Sequence, residues 1–166
     1  MCRYGDMQIC KFLNLHLHIR IMKILMVCLG NICRSPLAEG IMQNLADKAG
    51  LDWQVDSAGT GDWHIGRAPD RRSVKAAADQ GVDISKQVCR LFRTSDFDAF
   101  ELILVMDKNN LSSVLAMARN NADRLKVKML LGDQIVPDPY YDDTQFAPIF
   151  KLIEAGCKEI IKQCSH

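Results

Sequence analysis

Met22-Lys-Ile-Leu-Met-Val-Cys28-Leu-Gly-Asn-Ile-Cys-Arg34-Ser35-Pro36 is the stretch whose reading decides the fold. Its first seven residues form a short apolar run of the kind that is buried on both faces of a parallel sheet. Its last three open a helix, with Ser35 at the cap and Pro36 at the first position. Leu37, Ile41, Leu45 and Ala49 then recur at helical spacing until Gly50 stops the helix. Between the two elements lies a tight turn, Cys28 to Ser35. A helix N-terminus offers free N–H groups and the positive end of the helix dipole, so such a turn favours an anion. Gly30 lets backbone come close, and Arg34 can add a two-pronged fork to two phosphate oxygens. The same field acts on Cys28. An ordinary cysteine has a pKa of about 8.5, and helix N-termini with adjacent cations lower it to between roughly 3.5 and 7.5. The turn therefore reads as an oxyanion cradle holding a reactive thiolate. A Cys-x5-Arg spacing alone would be weak in a chain with seven cysteines; its place between a buried strand and a helix gives it meaning. Cys33 reads either as a buried neighbour or as a thiol able to trap oxidised Cys28 as a disulfide.

Outward from this turn, strand-like and helix-like segments alternate. Trp53 to Ser57 reads as a second strand, followed by a loop from Ala58 to Pro69 and a helix near Asp70 to Gln80, stopped by Gly81. Phe100 to Met106 is the third strand, and the helix after it shows Leu111, Val114, Leu115 and Ala118 on one face. Val127 to Leu131 is a fourth strand, and Phe146, Ile149, Phe150, Ile153, Cys157, Ile160 and Cys164 line a closing helix. Strands separated by helices imply an α/β fold, a single three-layer domain with a parallel sheet flanked by helices. Ligands then bind beyond the carboxyl ends of the strands, where the Cys28 turn sits.

Composition sets limits on partners. The chain has 166 residues, 48% apolar and 25% charged, with a net charge of +1. That length supports one core without staples. Basic residues are scattered, which argues against nucleic acid or an anionic membrane surface as a partner. Seven cysteines form an odd set without the spacing of a disulfide scaffold, so a reducing, cytoplasmic setting is expected. There is no Cys-x-x-Cys pair, and His16 and His18 lack companion ligands, so no metal and no cofactor is expected. Residues 1–21 read as an N-terminal extension outside a domain spanning 22–166. Asn14, His16, His18 and Arg20 break its apolar stretch, making it neither a targeting peptide nor a membrane span.

Taken together, the motifs resemble the low-molecular-weight protein tyrosine phosphatases. The resemblance rests on Cys28-Leu-Gly-Asn-Ile-Cys-Arg-Ser-Pro36, on Asp56-Ser-Ala-Gly-Thr60, and on Asp62-Trp63 followed by Gly66-Arg67-Ala-Pro69. Met106-Asp107 with Asn110, and Asp138-Pro-Tyr-Tyr141, complete it. It implies a four-stranded parallel sheet, no metal, and hydrolysis of phosphotyrosine through a phosphocysteine intermediate. In that reading Cys28 is the nucleophile, Arg34 the phosphate clamp and Asp138 the general acid and base. Asp142 and Asp143 read as solvated loop carboxylates. Leu29, Gly30, Asn31, Ile32, Cys33 and Ser35 would line the phosphate, and Trp63, Tyr140 and Tyr141 would wall a slot deep enough to select an aromatic ring. Ser57 and Asp107 are supporting candidates. Lys86 stands where relatives often carry a histidine.

The implied partner is a phosphotyrosine-containing protein, with a tyrosine kinase as one candidate. Three alternatives share the cradle. An arsenate reductase would need further cysteines where Met106 and Ser113 stand. An arginine-phosphate phosphatase of the family would carry a small hydroxyl residue in place of Ile32 and lack the paired aromatics. A non-catalytic phosphopeptide-binding domain would need neither Cys28 nor Asp138.

Overall fold

The computed structural model describes residues 21–164; the expectations for residues 1–20 and the histidine pair there lie outside the described residues. Four parallel strands form one sheet in the order β2-β1-β3-β4. They are β1 (Met22–Cys28), β2 (Trp53–Gly59), β3 (Leu102–Val105) and β4 (Val127–Met129). The helices are α1 (Arg34–Lys48), α2 (Arg71–Ala78), α3 (Asp96–Ala99), α4 (Lys108–Ala116), α5 (Asn121–Leu125) and α6 (Phe146–Cys164), with a 3-10 turn at Asp143–Gln145. The α/β class and the four-stranded parallel sheet are as the sequence implied.

Strand β1 is central because both its faces are apolar. Met22, Ile24, Met26 and Cys28 point into one layer, where they meet Leu37, Ile41 and Met42 of α1 and Ile149, Ile153 and Cys157 of α6. Leu25 and Val27 point into the other, against Phe92, Phe97 and Val114. Phe92 and Phe97 meet edge to face at 5.4 Å there, a favourable ring geometry. The register pairs Cys28 with Gly59 and Val27 with Val105, and Val105 with Met129, so the strands' carboxyl ends lie level.

Several boundaries differ from expectation. Ser35 does not cap α1: the helix begins at Arg34, Cys33 holds the cap position without a side-chain bond, and Pro36 is its third residue. Proline fits anywhere in the first turn, where N–H groups lack helical partners, and Ser35 is freed to face Cys28. The seam of α1 runs through Leu37, Ala38, Ile41, Met42 and Ala46, leaving Ala49 exposed. Strands β3 and β4 are shorter than the apolar runs that encode them, since apolar residues beyond the last ladder bond still pack inward; Met106 and Leu130 are buried. The short helices α3 and α5 carry too few residues to show a periodicity. Gly50 and Gly81 follow helix ends with φ of 67° and 77°, the left-handed conformation that closes a helix. Among the described residues no helix is long and apolar enough to cross a membrane.

Gly40 inside α1 offers a test of this packing. In an open helix Gly→Ala adds about 1 kcal/mol of stability. Here a Cβ would overlap the Ile84 Cγ2 methyl and lie 3.0 Å from Val82 Cγ1, both on buried, branched side chains. Overpacking of this kind costs about 1–3 kcal/mol. We therefore expect Gly40→Ala to lower the urea midpoint; a rise would show that Ile84 moves aside freely.

Candidate functional site

The carboxyl ends of β1, β2 and β3 bring together the turn at 28–35, the loop at 59–67 and Asp107. The turn is held from outside by its carbonyls. Cys28 O accepts from Thr60 N–H at 3.0 Å, Leu29 O from Gly61 N–H at 2.8 Å and Ile32 O from Asp70 N–H at 2.8 Å. Gly30 O accepts from the Cys89 thiol at 3.2 Å and Cys33 O from Ser73 Oγ at 3.3 Å. Each peptide is planar, so a carbonyl turned outward turns the following N–H inward. The amide hydrogens that follow those carbonyls are thereby turned away from the outer partners.

Asn31 makes the turn tight. Its φ is 52°, a left-handed value that asparagine tolerates better than most residues. Its Oδ1 accepts from Arg90 N–H at 2.9 Å, which fixes the amide orientation. The Nδ2 group then donates both to Ser35 Oγ and to Ser57 Oγ, each at 2.9 Å. Ser35 Oγ lies 3.0 Å from Cys28 Sγ. Ser35 Oγ accepts from Asn31 and has two neighbours for its own proton, the Cys28 sulfur and, more distantly, Ala58 O at 3.5 Å. Ser57 Oγ in turn donates to Glu39 Oε2 at 2.5 Å. Burial, with Asp56 nearby, raises the Glu39 pKa to about 7 although the Ser57 bond opposes the shift.

Arg34 is 3% exposed. Nη1 donates to Asp107 Oδ2 at 2.6 Å and to Val136 O at 3.0 Å; Nη2 donates to Asp138 Oδ2 at 3.3 Å. Burial works against its charge but is outweighed by Cys28, Asp107 and Asp138, so its pKa is raised. Asp107 serves two purposes, since its Oδ1 also caps α4 by accepting from Asn110 N–H at 2.8 Å. Asp138 begins an ordered turn in which its Oδ1 accepts from Tyr140 N–H at 3.1 Å. Asp142 instead caps the 3-10 turn through Thr144, and Asp143, a solvated carboxylate at 82% exposure, also pairs with Arg72.

These groups open into a cavity of about 390 Å³ lined by Cys28, Leu29, Gly30, Ile32, Cys33, Arg34, Trp63, His64, Asp138, Tyr140 and Tyr141. Asn31, Ser35, Ser57 and Asp107 stand behind this lining. Cys28 is at the base, 2% exposed. At the mouth Tyr140 and Tyr141 meet edge to face at 4.9 Å. Tyr141 is 95% exposed, so it contributes only to the outer rim of that lining. Trp63 folds over Gly61, where any Cβ would collide with its ring. Cys33 is a thiol of a different character: burial first, then Asp70 and Cys28, push its pKa up to about 12. Among the described residues no group of three His, Cys, Asp or Glu is arranged to hold a metal.

Sequence reading missed His64, Glu39 and the Val136 carbonyl. His64 packs against Gly30, where a Cβ would be 3.2 Å from its ring, but nothing in its spacing marks it. Glu39 lies one helical turn beyond Ser35 and could have been found on that ground. Lys86 is exposed and lines an outer groove with Glu39 and Gln87, so the Ser57 hydroxyl is met by Glu39 and not by residue 86.

Comparison with known proteins agrees with this geometry. Residues 23–166 match the family profile described as low molecular weight phosphotyrosine protein phosphatase. A Schizosaccharomyces pombe low molecular weight phosphotyrosine protein phosphatase is 42% identical over 129 residues, covering 72% of this chain and 81% of that protein. The crystal structure of an Entamoeba histolytica protein tyrosine phosphatase superposes with a TM-score of 0.82 at 32% identity, covering 87% of this chain and 97% of the other. That of a Drosophila arginine phosphatase gives 0.80 at 32% identity, covering 85% and 96%. The chain belongs to the low molecular weight phosphotyrosine protein phosphatase family and is an enzyme of that hydrolase class.

Proposed function

We propose that this enzyme hydrolyses phosphotyrosine in proteins in two steps through a phosphocysteine intermediate. The observation that carries the reading is one cavity lined by the buried Cys28 sulfur, the Arg34 fork and the Asp138 carboxyl. In the first step Cys28 Sγ attacks phosphorus while the bond to the tyrosine oxygen breaks. Asp138 gives its proton to that oxygen, whose phenol has a pKa of about 10 and leaves poorly as an anion. In the second step a water attacks the phosphocysteine, Asp138 takes its proton, and the S–P bond breaks to return the thiolate and inorganic phosphate. The inward N–H groups and Arg34 match the charge on the equatorial oxygens in both steps. Ser35 steadies the thiolate, Asn31 and Ser57 hold Ser35, and Asp107 aims Arg34.

Tyrosine is the favoured residue because Trp63, Tyr140 and Tyr141 crowd the mouth and Ile32 makes the floor apolar. The likeness to an arginine phosphatase keeps phosphoarginine as the second reading. Arsenate reduction lacks support, since the places for its relay thiols are a buried Met106 and an exposed Ser113. A binding-only domain would retain the cradle without needing a nucleophile facing a proton donor. The natural substrate in this reading is a phosphotyrosine protein, such as a tyrosine kinase, in the reducing cytoplasm that a thiolate requires.

With p-nitrophenyl phosphate in chelator, we expect Cys28→Ser to abolish turnover and the parent enzyme, acid-quenched during turnover, to carry one phosphoryl group by mass. Full activity of Cys28→Ser would exclude the covalent route. On phosphotyrosine peptides Asp138→Ala should slow the reaction by about 100- to 10,000-fold. Parallel assays on phosphoserine and phosphoarginine peptides test selectivity; equal rates on all three would remove the argument from the aromatic mouth.

Glu39 adds a pH dependence to stability. Its folded pKa, about 7, lies above the ordinary value of 4.5. Between those values the unfolded chain releases the proton while the folded one keeps it, so this group's contribution falls as pH rises through that window. Glu39→Gln keeps an acceptor for Ser57 and has no such titration. Chemical denaturation at pH 5 and pH 8 should show the variant gaining on the parent at the higher pH; a difference independent of pH would rule out the buried acid.

A further inference from the structure

We propose that Arg72 is a positioning residue that ties the loop bearing Asp138 to helix α2 and thereby sets the protonation of the leaving group; this rests on Asp138 being the proton donor. Arg72 is the second residue of α2, after its cap Asp70. Nε donates to Asp70 Oδ1 at 2.9 Å and Nη2 to Asp70 Oδ2 at 2.8 Å, so one edge of the guanidinium is fixed to the helix start. Nη1 reaches the other way, to Tyr140 O at 3.0 Å and Asp143 Oδ1 at 2.5 Å. Its carbon lies 4.5 Å from the centre of the Phe146 ring, at the start of α6, and 5.6 Å from that of Tyr140. One planar cation thus joins the α2 cap, the acid loop and the start of α6, which a lysine could not do.

The loop needs such a tether. Apart from the buried Pro139, its side chains are open to solvent, with Asp138 at 45%, Asp143 at 82% and Tyr141 at 95% exposure. The link from Asp138 to Arg34, at 3.3 Å, is long for a charge-assisted bond. Tyr140 carries the effect across: its carbonyl is held by Arg72 and its N–H by the Asp138 carboxylate. With Arg72 removed, Tyr140 loses its anchor and the carboxyl of Asp138 loses a fixed position relative to the sulfur.

A displaced acid slows only substrates whose leaving group requires a proton. The measurement is kcat/KM, which reports formation of phosphocysteine, for phenyl phosphate and for 2,4-dinitrophenyl phosphate, whose leaving group departs unprotonated. We expect Arg72→Met to lower the phenyl phosphate value by about tenfold or more and the dinitrophenyl value by about twofold at most. Arg72→Lys should recover part of the loss. Asp143→Asn changes only an exposed group and should shift the ratio in the same direction by less. Equal loss on both substrates, or no loss on either, overturns the tether; should Arg72→Met fail to fold, an unchanged ratio in Asp143→Asn overturns it. Asp138→Ala separates the two levels: a selective loss there with none at Arg72 refutes the tether alone, whereas no selective loss in Asp138→Ala refutes the acid assignment and the tether with it.

Discussion

A guanidinium at 3% exposure must be matched on every side, and the active-site end of this molecule is organised around that requirement at Arg34. Leaving one partner of a buried ion pair unmatched costs about 3–5 kcal/mol. Arg34 is satisfied by the carboxylate after β3, by the Val136 carbonyl after β4 and by Asp138. Two stretches distant in sequence from Arg34, at Asp107 and at 136–138, are thereby drawn to the carboxyl end of one sheet. The same cation lies beside Cys28, which adds to the field that keeps the arginine charged.

The turn itself is polarised by a second constraint. Five of its carbonyls are occupied from outside by Thr60, Gly61, Asp70, Ser73 and Cys89, which turns the amide hydrogens that follow them away from those partners. Asn31 donates to both hydroxyls, with Ser57 then given to Glu39 and Ser35 placed between Cys28 and the Ala58 carbonyl. Two thiols five residues apart come to occupy different settings as a result. Cys28 sits at the focus of donors, whereas Cys33 is buried beside Asp70 and held as a neutral thiol.

Exposure is uneven around this centre. Most of the turn and its backing is buried, Leu29 excepted, while the loop from Asp138 to Asp143 is largely solvent-exposed and tied at its ends by two arginines, Arg34 and Arg72. A substrate must enter past that loop and past Trp63, Tyr140 and Tyr141. A fixed cradle with a more exposed acid-bearing rim suits a reaction in which the phosphate is always the same and the attached protein is not.

Taken by itself, the sequence determined whatever depends on neighbours along the chain. A doubly apolar run gives a buried strand, and Cys28 to Pro36 gives a strand-to-helix turn whose donors and dipole are local properties. Asp138-Pro139 gives an ordered turn for the same reason. Ser35 as a cap and Ala49 as core were misread because both depend on which groups the tertiary structure supplies to them. His64 against Gly30, Glu39 on Ser57, and Arg72 between Asp70, Tyr140 and Asp143 were decided only by folding. Their partners lie far along the chain or carry no periodic signal, and contacts of that kind exist only once the sheet has brought its carboxyl ends together.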